Sequence, residues 1–253
     1  YCTVRGNYIH DTLGTDADCH DIGIYGSSGN PSYNVVKHNR CFGTGAHGIF
    51  HQGTGTTIPF KNKILNNFVN EKTTYGIVAY QVTAADTETT ISGNTVWDIL
   101  GTGLAGAGGS GIYVQTSGGC FVTENNVSNC CRSTTSAANG PAAISVAFNG
   151  ALRRTNIVSN NQIDAPKWSG IQISDSSNET ICETNNVSFS DGTNGAGIKG
   201  VDCSYTAIIN NRVSAAVTVA RSGVSMLAST VDCIGNDLSG NTITGTNANL
   251  LST

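Results

Sequence analysis

Nine times along the chain an asparagine stands between two apolar residues, in the frame apolar-x-x-Asn-x-apolar. The set runs Val4/Asn7/Ile9, Val36/Asn39/Cys41, Ile64/Asn67/Val69, Ile91/Asn94/Val96, Val122/Asn125/Val127, Val158/Asn161/Ile163, Cys182/Asn185/Val187, Ile208/Asn211/Val213 and Leu238/Asn241/Ile243. Successive asparagines are 32, 28, 27, 31, 36, 24, 26 and 30 residues apart. No helical period spaces residues this way, whereas a solenoid whose turns are short strands joined by bends does. Residues at equal register then become neighbours, one turn above another.

A second landmark follows each asparagine except the last, a small residue and then an aliphatic. It reads Gly23-Ile24, Gly48-Ile49, Gly76-Ile77, Gly111-Ile112, Ala143-Ile144, Gly170-Ile171, Gly197-Ile198 and Gly223-Val224. Glycine suits a bend with positive φ or a crowded backbone. The aliphatic begins a strand whose alternate residues face inward. Asparagine repeated at one corner predicts a ladder in which each side-chain amide bonds its counterparts above and below. Surplus residues fall in His10–Asp21, Asp98–Ser110 and Ser128–Pro141, which reads as insertions at one corner, over one flank of the shaft.

With the aliphatic inward, the residues one and three places later point outward. They are Tyr25 and Ser27, Phe50 and Gln52, Val78 and Tyr80, Tyr113 and Gln115, then Ser145 and Ala147, Gln172 and Ser174, Lys199 and Val201. Aromatic faces stack on sugar rings, while amides and hydroxyls bond sugar hydroxyls. Tyr25, Phe50, Gln52, Tyr113, Gln115, Gln172 and Lys199 are therefore candidate substrate-binding residues for a polysaccharide lying along the shaft. The rise of about 4.8 Å per turn is close to the length of one sugar unit. The competing reading is that these side chains pack under the inserted loops or against a partner subunit.

Composition narrows the partners. The chain has 253 residues, enough for a large core, and the repeat spans nearly all of it, so a single domain over 1–253 is expected. Only 12% of residues are charged and the net charge is −4, with no Lys/Arg cluster, which argues against nucleic acid. No apolar run is long enough to span a bilayer as a helix. The repeat is already running at Val4 with no leader-like segment before it, which reads as a mature product or a piece of a longer chain. Nine cysteines match no zinc spacing. Cys41 and Cys182 stand at core positions of the repeat, and small buried thiols are the plain reading. Cys203 and Cys233 share a register in adjacent turns, where a disulfide is the sharper alternative.

The frame Asn-x-[Val/Ile] followed by Gly-Ile, over residues 4 to 243, resembles the right-handed parallel β-helix repeat proteins. These include pectate-lyase-like enzymes, mannuronan epimerase-like modules and phage tailspike depolymerases. The resemblance implies an all-β, single-stranded right-handed parallel β-helix of about nine turns. It also implies an extracellular or virion-associated setting, and a homotrimer where such shafts assemble. The matched residues are structural. The calcium and arginine signature of the pectate lyases and the Asp-Pro-His triplet of the epimerases are both missing, so no catalytic residue carries over.

Candidate chemistry is read from the residues alone. Four of the five histidines fall within residues 10 to 47, and the fifth is His51. His47 and His51 flank one Gly-Ile, with Tyr80 one turn further on. Such groups can remove the C5 proton of a uronate in a lyase or epimerase; a satisfied core histidine is the bland alternative for each. Asp175 and Asp202 hold one register in adjacent turns, about 4.8 Å apart in backbone, within reach of the carboxylate pair of a retaining glycosidase. Lys199 beside them would push their pKa values apart. Asp is also a common turn residue at a strand end. Asp11, Asp16, Asp18 and Asp21 crowd the first insertion with His10 and His20, a candidate calcium site near Asp16 and Asp18 or a solvated acidic loop. No other cofactor or metal is expected. Two functions remain: a polysaccharide-binding and polysaccharide-degrading module, acting as lyase or glycoside hydrolase, and a non-catalytic shaft or adhesin.

Overall fold

The computed structural model describes residues 1–14, 19–26, 32–53, 61–81, 88–101, 109–116, 119–132, 142–148, 155–174, 179–190, 195–227 and 234–252. Each of the first seven turns supplies three short strands, and the pairing between turns is parallel. The first strands, Thr3–Arg5, Val35–Lys37, Lys63–Leu65, Thr90–Ser92, Phe121–Thr123, Asn156–Ser159, Thr180–Glu183 and Thr206–Ile209, form an eight-stranded sheet. Tyr8–Ile9, Arg40–Cys41, Phe68–Asn70, Thr95–Trp97, Asn126–Ser128, Gln162–Asp164 and Asn186–Phe189 are the second strands. The third strands are His20–Gly26, His47–Gly53, Tyr75–Gln81, Ile112–Thr116, Ala142–Phe148, Ser169–Ser174 and Ala196–Val201. Arg212–Leu227 runs unbroken through the corner and pairs with both Asn186–Phe189 and Ala196–Val201, so it joins the second and third strands into one sheet.

The fold is the parallel β-solenoid that the repeat predicts, but nine complete turns is too high a count. The last repeat keeps only an isolated bridge between Ala207 and Asp237 where a first strand would stand. The repeat before it merges two strands into one.

The asparagine ladder is continuous. From Asn7 through Asn39, Asn67, Asn94, Asn125, Asn161 and Asn185 to Asn211, each donates its backbone N–H and its Nδ2 to the Oδ1 of the next ladder asparagine, at 2.9–3.1 Å. The Nδ2 also reaches back to a carbonyl of the preceding turn, as Asn94 does to Ile64 at 2.9 Å. Buried amides are thereby satisfied without a compensating charge. Immediately before each ladder asparagine the backbone turns left-handed: Gly6, His38, Asn66, Gly93, Glu124, Asn160, Thr184, Asn210 and Gly240 all have φ between 52° and 69°. That residue makes the corner, and the asparagine ties it to the next turn.

Stacked aliphatics fill the interior. One column runs Val36, Ile64, Ile91, Val122, Val158, Cys182, Ile208, and another Cys41, Val69, Val96, Val127, Ile163, Val187, Val213. The third column, Ile49, Ile77, Ile112, Ile144, Ile171, Ile198, Val224, follows the Gly-Ile landmark. Cys41 and Cys182 are buried thiols, as expected. Burial raises the Cys41 pKa to about 12, with Asp21 adding to it. Cys203 lies 3.1 Å from the Ile173 carbonyl oxygen, and its expected partner Cys233 lies outside the described residues.

The glycines of the landmark are there for space. A Cβ on Gly76 would sit 2.4 Å from a Val96 methyl and 2.6 Å from the Gly111 carbonyl oxygen. In the first turn the register differs from the landmark by two residues, since Ile22 rather than Ile24 pairs with Ile49. A shift of two keeps every side chain on its face. Tyr25 therefore stays outward, but beside Gln52 rather than Phe50.

Candidate functional site

The outward face of the third strands carries two columns. One is Phe50, Val78, Tyr113, Ser145, Gln172, Lys199. The other is Tyr25, Gln52, Tyr80, Gln115, Ala147, Ser174. Strand alternation positions them: the intervening residues Ile49, Ile77, Ile112 and Ile144 are fully buried. Tyr25 is 52% exposed, while Gln172 is buried at 8%. The Tyr113 hydroxyl donates to Gln115 Oε1 at 2.6 Å, so the amide nitrogen becomes that side chain's remaining donor. All seven candidate binding residues lie on this one face.

The aromatic rings also meet one another. His20 stacks on Phe50, with centroids 4.3 Å and planes 8° apart, and on His47 at 4.9 Å and 14°. His47 stacks on Phe50 at 5.3 Å and touches Tyr75 at 5.3 Å, and Tyr75 touches Tyr113 at 5.2 Å. Tyr25 closes one end, 5.6 Å from both His20 and Phe50. His20 thus belongs to this cluster. Its pairing with His47 was the missing sign, and it appears only once the first turn takes its observed register. The Phe50 face expected to meet sugar is covered by the His20 ring.

The catalytic candidates separate. His47 sits in the aromatic cluster, 3% exposed. Tyr80 is half-buried on the outward face. His51 faces the interior instead, in one column with Ile24, Ala79 and Val114. Burial lowers its pKa to about 4, which keeps the ring neutral and away from the outward columns. Tyr113, by burial and then by Tyr80, is raised to about 12, and Tyr75 is raised too, first by burial. These phenols hold their protons.

Asp202 stands just past its third strand at φ 52°, its N–H donating to the Leu227 carbonyl oxygen at 2.8 Å, a turn residue's conformation. The register that would bring Asp175 beside it holds as far as Ser174 and Val201. Asp175 itself lies outside the described residues. Lys199, held down in pKa by partial burial, is three residues before Asp202.

Of the acidic first insertion, Asp16 and Asp18 lie outside the described residues. Asp21 is turned into the core, where it meets Lys72 at 2.7 Å, which removes it from any calcium set. Asp11 pairs with His10 at 2.7 Å on the surface. Among the described residues no group of three or more His, Cys, Asp or Glu is placed to hold a metal ion.

Parallel turns, the asparagine corner and the stacked aliphatic columns define a right-handed β-helix, and the chain belongs to that family: the model described as "Right handed beta helix region" matches residues 75–252. No curated protein sequence matches the chain. Among solved structures it is similar to the A-module of the Azotobacter vinelandii mannuronan C-5 epimerase AlgE4, at 12% identity and a TM-score of 0.36, over 99% of this chain and 90% of that one.

Proposed function

We propose that this β-helix binds polysaccharide along the outward face of its third strands, in an extracellular or virion-associated setting. The observation that carries the reading is the register: Tyr25, Gln52, Tyr80 and Gln115 stand in one line along the axis, one per turn. A turn advances about 4.8 Å, so successive side chains meet successive units of an extended chain. Rings take the C–H faces of sugars, and amides take their hydroxyls. Cleavage, by elimination or hydrolysis, is assigned to Asp202, with Lys199 three residues before it and Asp175, four residues after Ile171 as Asp202 is four after Ile198, as its partner in the sequence repeat.

Affinity electrophoresis through gels cast with different polysaccharides tests binding, with retardation by at least one gel expected. Reducing ends released from that glycan, and the ultraviolet absorbance of unsaturated sugars, then test cleavage and separate hydrolysis from elimination. Loss of both signals in Asp175→Asn and Asp202→Asn assigns it. A wild-type chain that binds and releases nothing is a binding module alone.

A second reading, a shaft or adhesin whose aromatic cluster serves assembly, draws support from the rings that cover one another's faces. Retardation by no glycan, together with a trimer in solution, would favour it.

A further inference from the structure

We propose that the glycan taken at the aromatic end of this face is uncharged; the proposal rests on the polysaccharide-binding reading above and narrows its substrate class. The third strands of the first four turns contain no lysine or arginine, and neither do the segments 27–31, 54–60, 82–87 and 117–118 that follow them. The one carboxylate in those strands, Asp21, is turned inward onto Lys72 with no exposed surface. The basic residues of these turns lie elsewhere. Arg5, Lys37 and Lys63 are in first strands, Arg40 lies over the Phe68 ring on the second-strand face, and Lys61, at the corner before a first strand, faces Glu88 at 3.8 Å.

Among the described residues of the face, the first lysine or arginine is Lys199, three turns beyond Tyr113. Three turns are about 14 Å, which exceeds the screening length of about 8 Å at physiological salt. A uronate or sulfated unit laid on Tyr25, Tyr80 and Tyr113 would lose water from its anion and gain no counter-charge, which is unfavourable. An uncharged sugar loses nothing of that kind. The column also alternates, tyrosine then glutamine then tyrosine then glutamine, so like contacts recur every about 9.6 Å along the axis. That repeat suits an extended chain whose alternate units present the same face.

The test is affinity electrophoresis of the whole chain in gels of neutral polysaccharide (glucan, mannan, xylan, galactan) and of anionic polysaccharide (polygalacturonate, alginate), at low and high sodium chloride. Retardation by at least one neutral glycan is expected, changing less than about twofold with salt. Tyr25→Ala and Tyr80→Ala are each expected to weaken it roughly tenfold or more, with unchanged circular dichroism and melting temperature. Trp97→Ala, an exposed aromatic on the second-strand face, is expected to leave it unaltered. Retardation confined to uronate gels and lost with salt overturns the proposal while the polysaccharide-binding reading stands. So does neutral binding that survives both tyrosine substitutions. Retardation by no gel overturns both.

Discussion

The Lys72 ammonium lies 2.7 Å from the Asp21 carboxylate, and neither side chain has any exposed surface. Asp21 comes from the third strand of the first turn, and Lys72 follows the second strand of the third turn. Lys72 also donates to the Gly43 carbonyl oxygen of the second turn at 2.8 Å, and the Thr12 hydroxyl donates to the other Asp21 oxygen at 2.5 Å. One buried pair therefore ties three successive turns and the first insertion together.

Removing one partner leaves an uncompensated buried charge. Lys72→Met is expected to lower unfolding free energy by about 3–5 kcal/mol, whereas Lys72→Met with Asp21→Leu should recover most of that loss. Urea titrations of the wild type, both single variants and the double variant measure the coupling. A pair of single losses that simply add in the double variant would refute it.

Asn94 is fully buried in the middle of the ladder. Its Oδ1 accepts from the Asn67 backbone N–H and Nδ2, and its own Nδ2 donates to Asn125 Oδ1 and the Ile64 carbonyl. Asn94→Ala strands several of these groups without water, for an expected loss of about 2–5 kcal/mol. Asn7, at the end of the ladder and exposed, contributes a single side-chain donor to it. Asn7→Ala should cost under about 1 kcal/mol. Thermal denaturation of the two variants side by side checks the difference.

Most of this fold could be read from residues because one polar type recurs inside an apolar frame at every turn. An asparagine that must bond its neighbour above and below leaves no freedom in register. The third strands were as legible wherever a single small-aliphatic pair was present. In the first turn Ile22 and Ile24 are both aliphatic and on the same face, so only the pairing of His20 with His47 decides between them. Alternation told which face the binding candidates take, and the same rule, two residues after Ile49, puts His51 inward, against its reading as a catalytic candidate. It carried no information on ring orientation, and so missed that His20 covers Phe50. The Asp21–Lys72 pair was hidden for another reason. Lys72 sits outside the repeating frame, and Asp21, although in the third strand of the first turn, reads in sequence as one more member of an acidic loop.

His51 gives a pH signature. Burial lowers its pKa from the ordinary 6.5 to about 4, so the folded chain binds fewer protons at this site than the unfolded chain. Its contribution to stability is full above pH 6.5 and is lost as pH falls from there to about 4, by roughly 3 kcal/mol in all. His51→Gln should flatten that part of the stability curve. The difference between wild type and variant, followed by denaturant unfolding from pH 7 to pH 4, isolates it from the carboxylates that titrate in the same range.

Gly76 tests whether the landmark glycine serves space or backbone freedom. Its φ is not in the left-handed region, yet a Cβ there would stand 2.4 Å from Val96 and 2.6 Å from the Gly111 carbonyl oxygen. Relieving those contacts means shifting the second-strand valine or parting two turns that are hydrogen-bonded between Ile77 and Gly111 at 2.9 Å. Gly76→Ala should therefore destabilise by about 1–3 kcal/mol, the range for overpacking a filled interior. The fifth turn carries alanine at this register, Ala143, buried at 1%. If space is the cause, enlarging the room should rescue the variant: Gly76→Ala with Val96→Ala should lose less than the two single losses summed, because the added methyl occupies the volume the valine vacates. If backbone freedom were the cause, the two losses would add. Urea unfolding of the three variants distinguishes these outcomes.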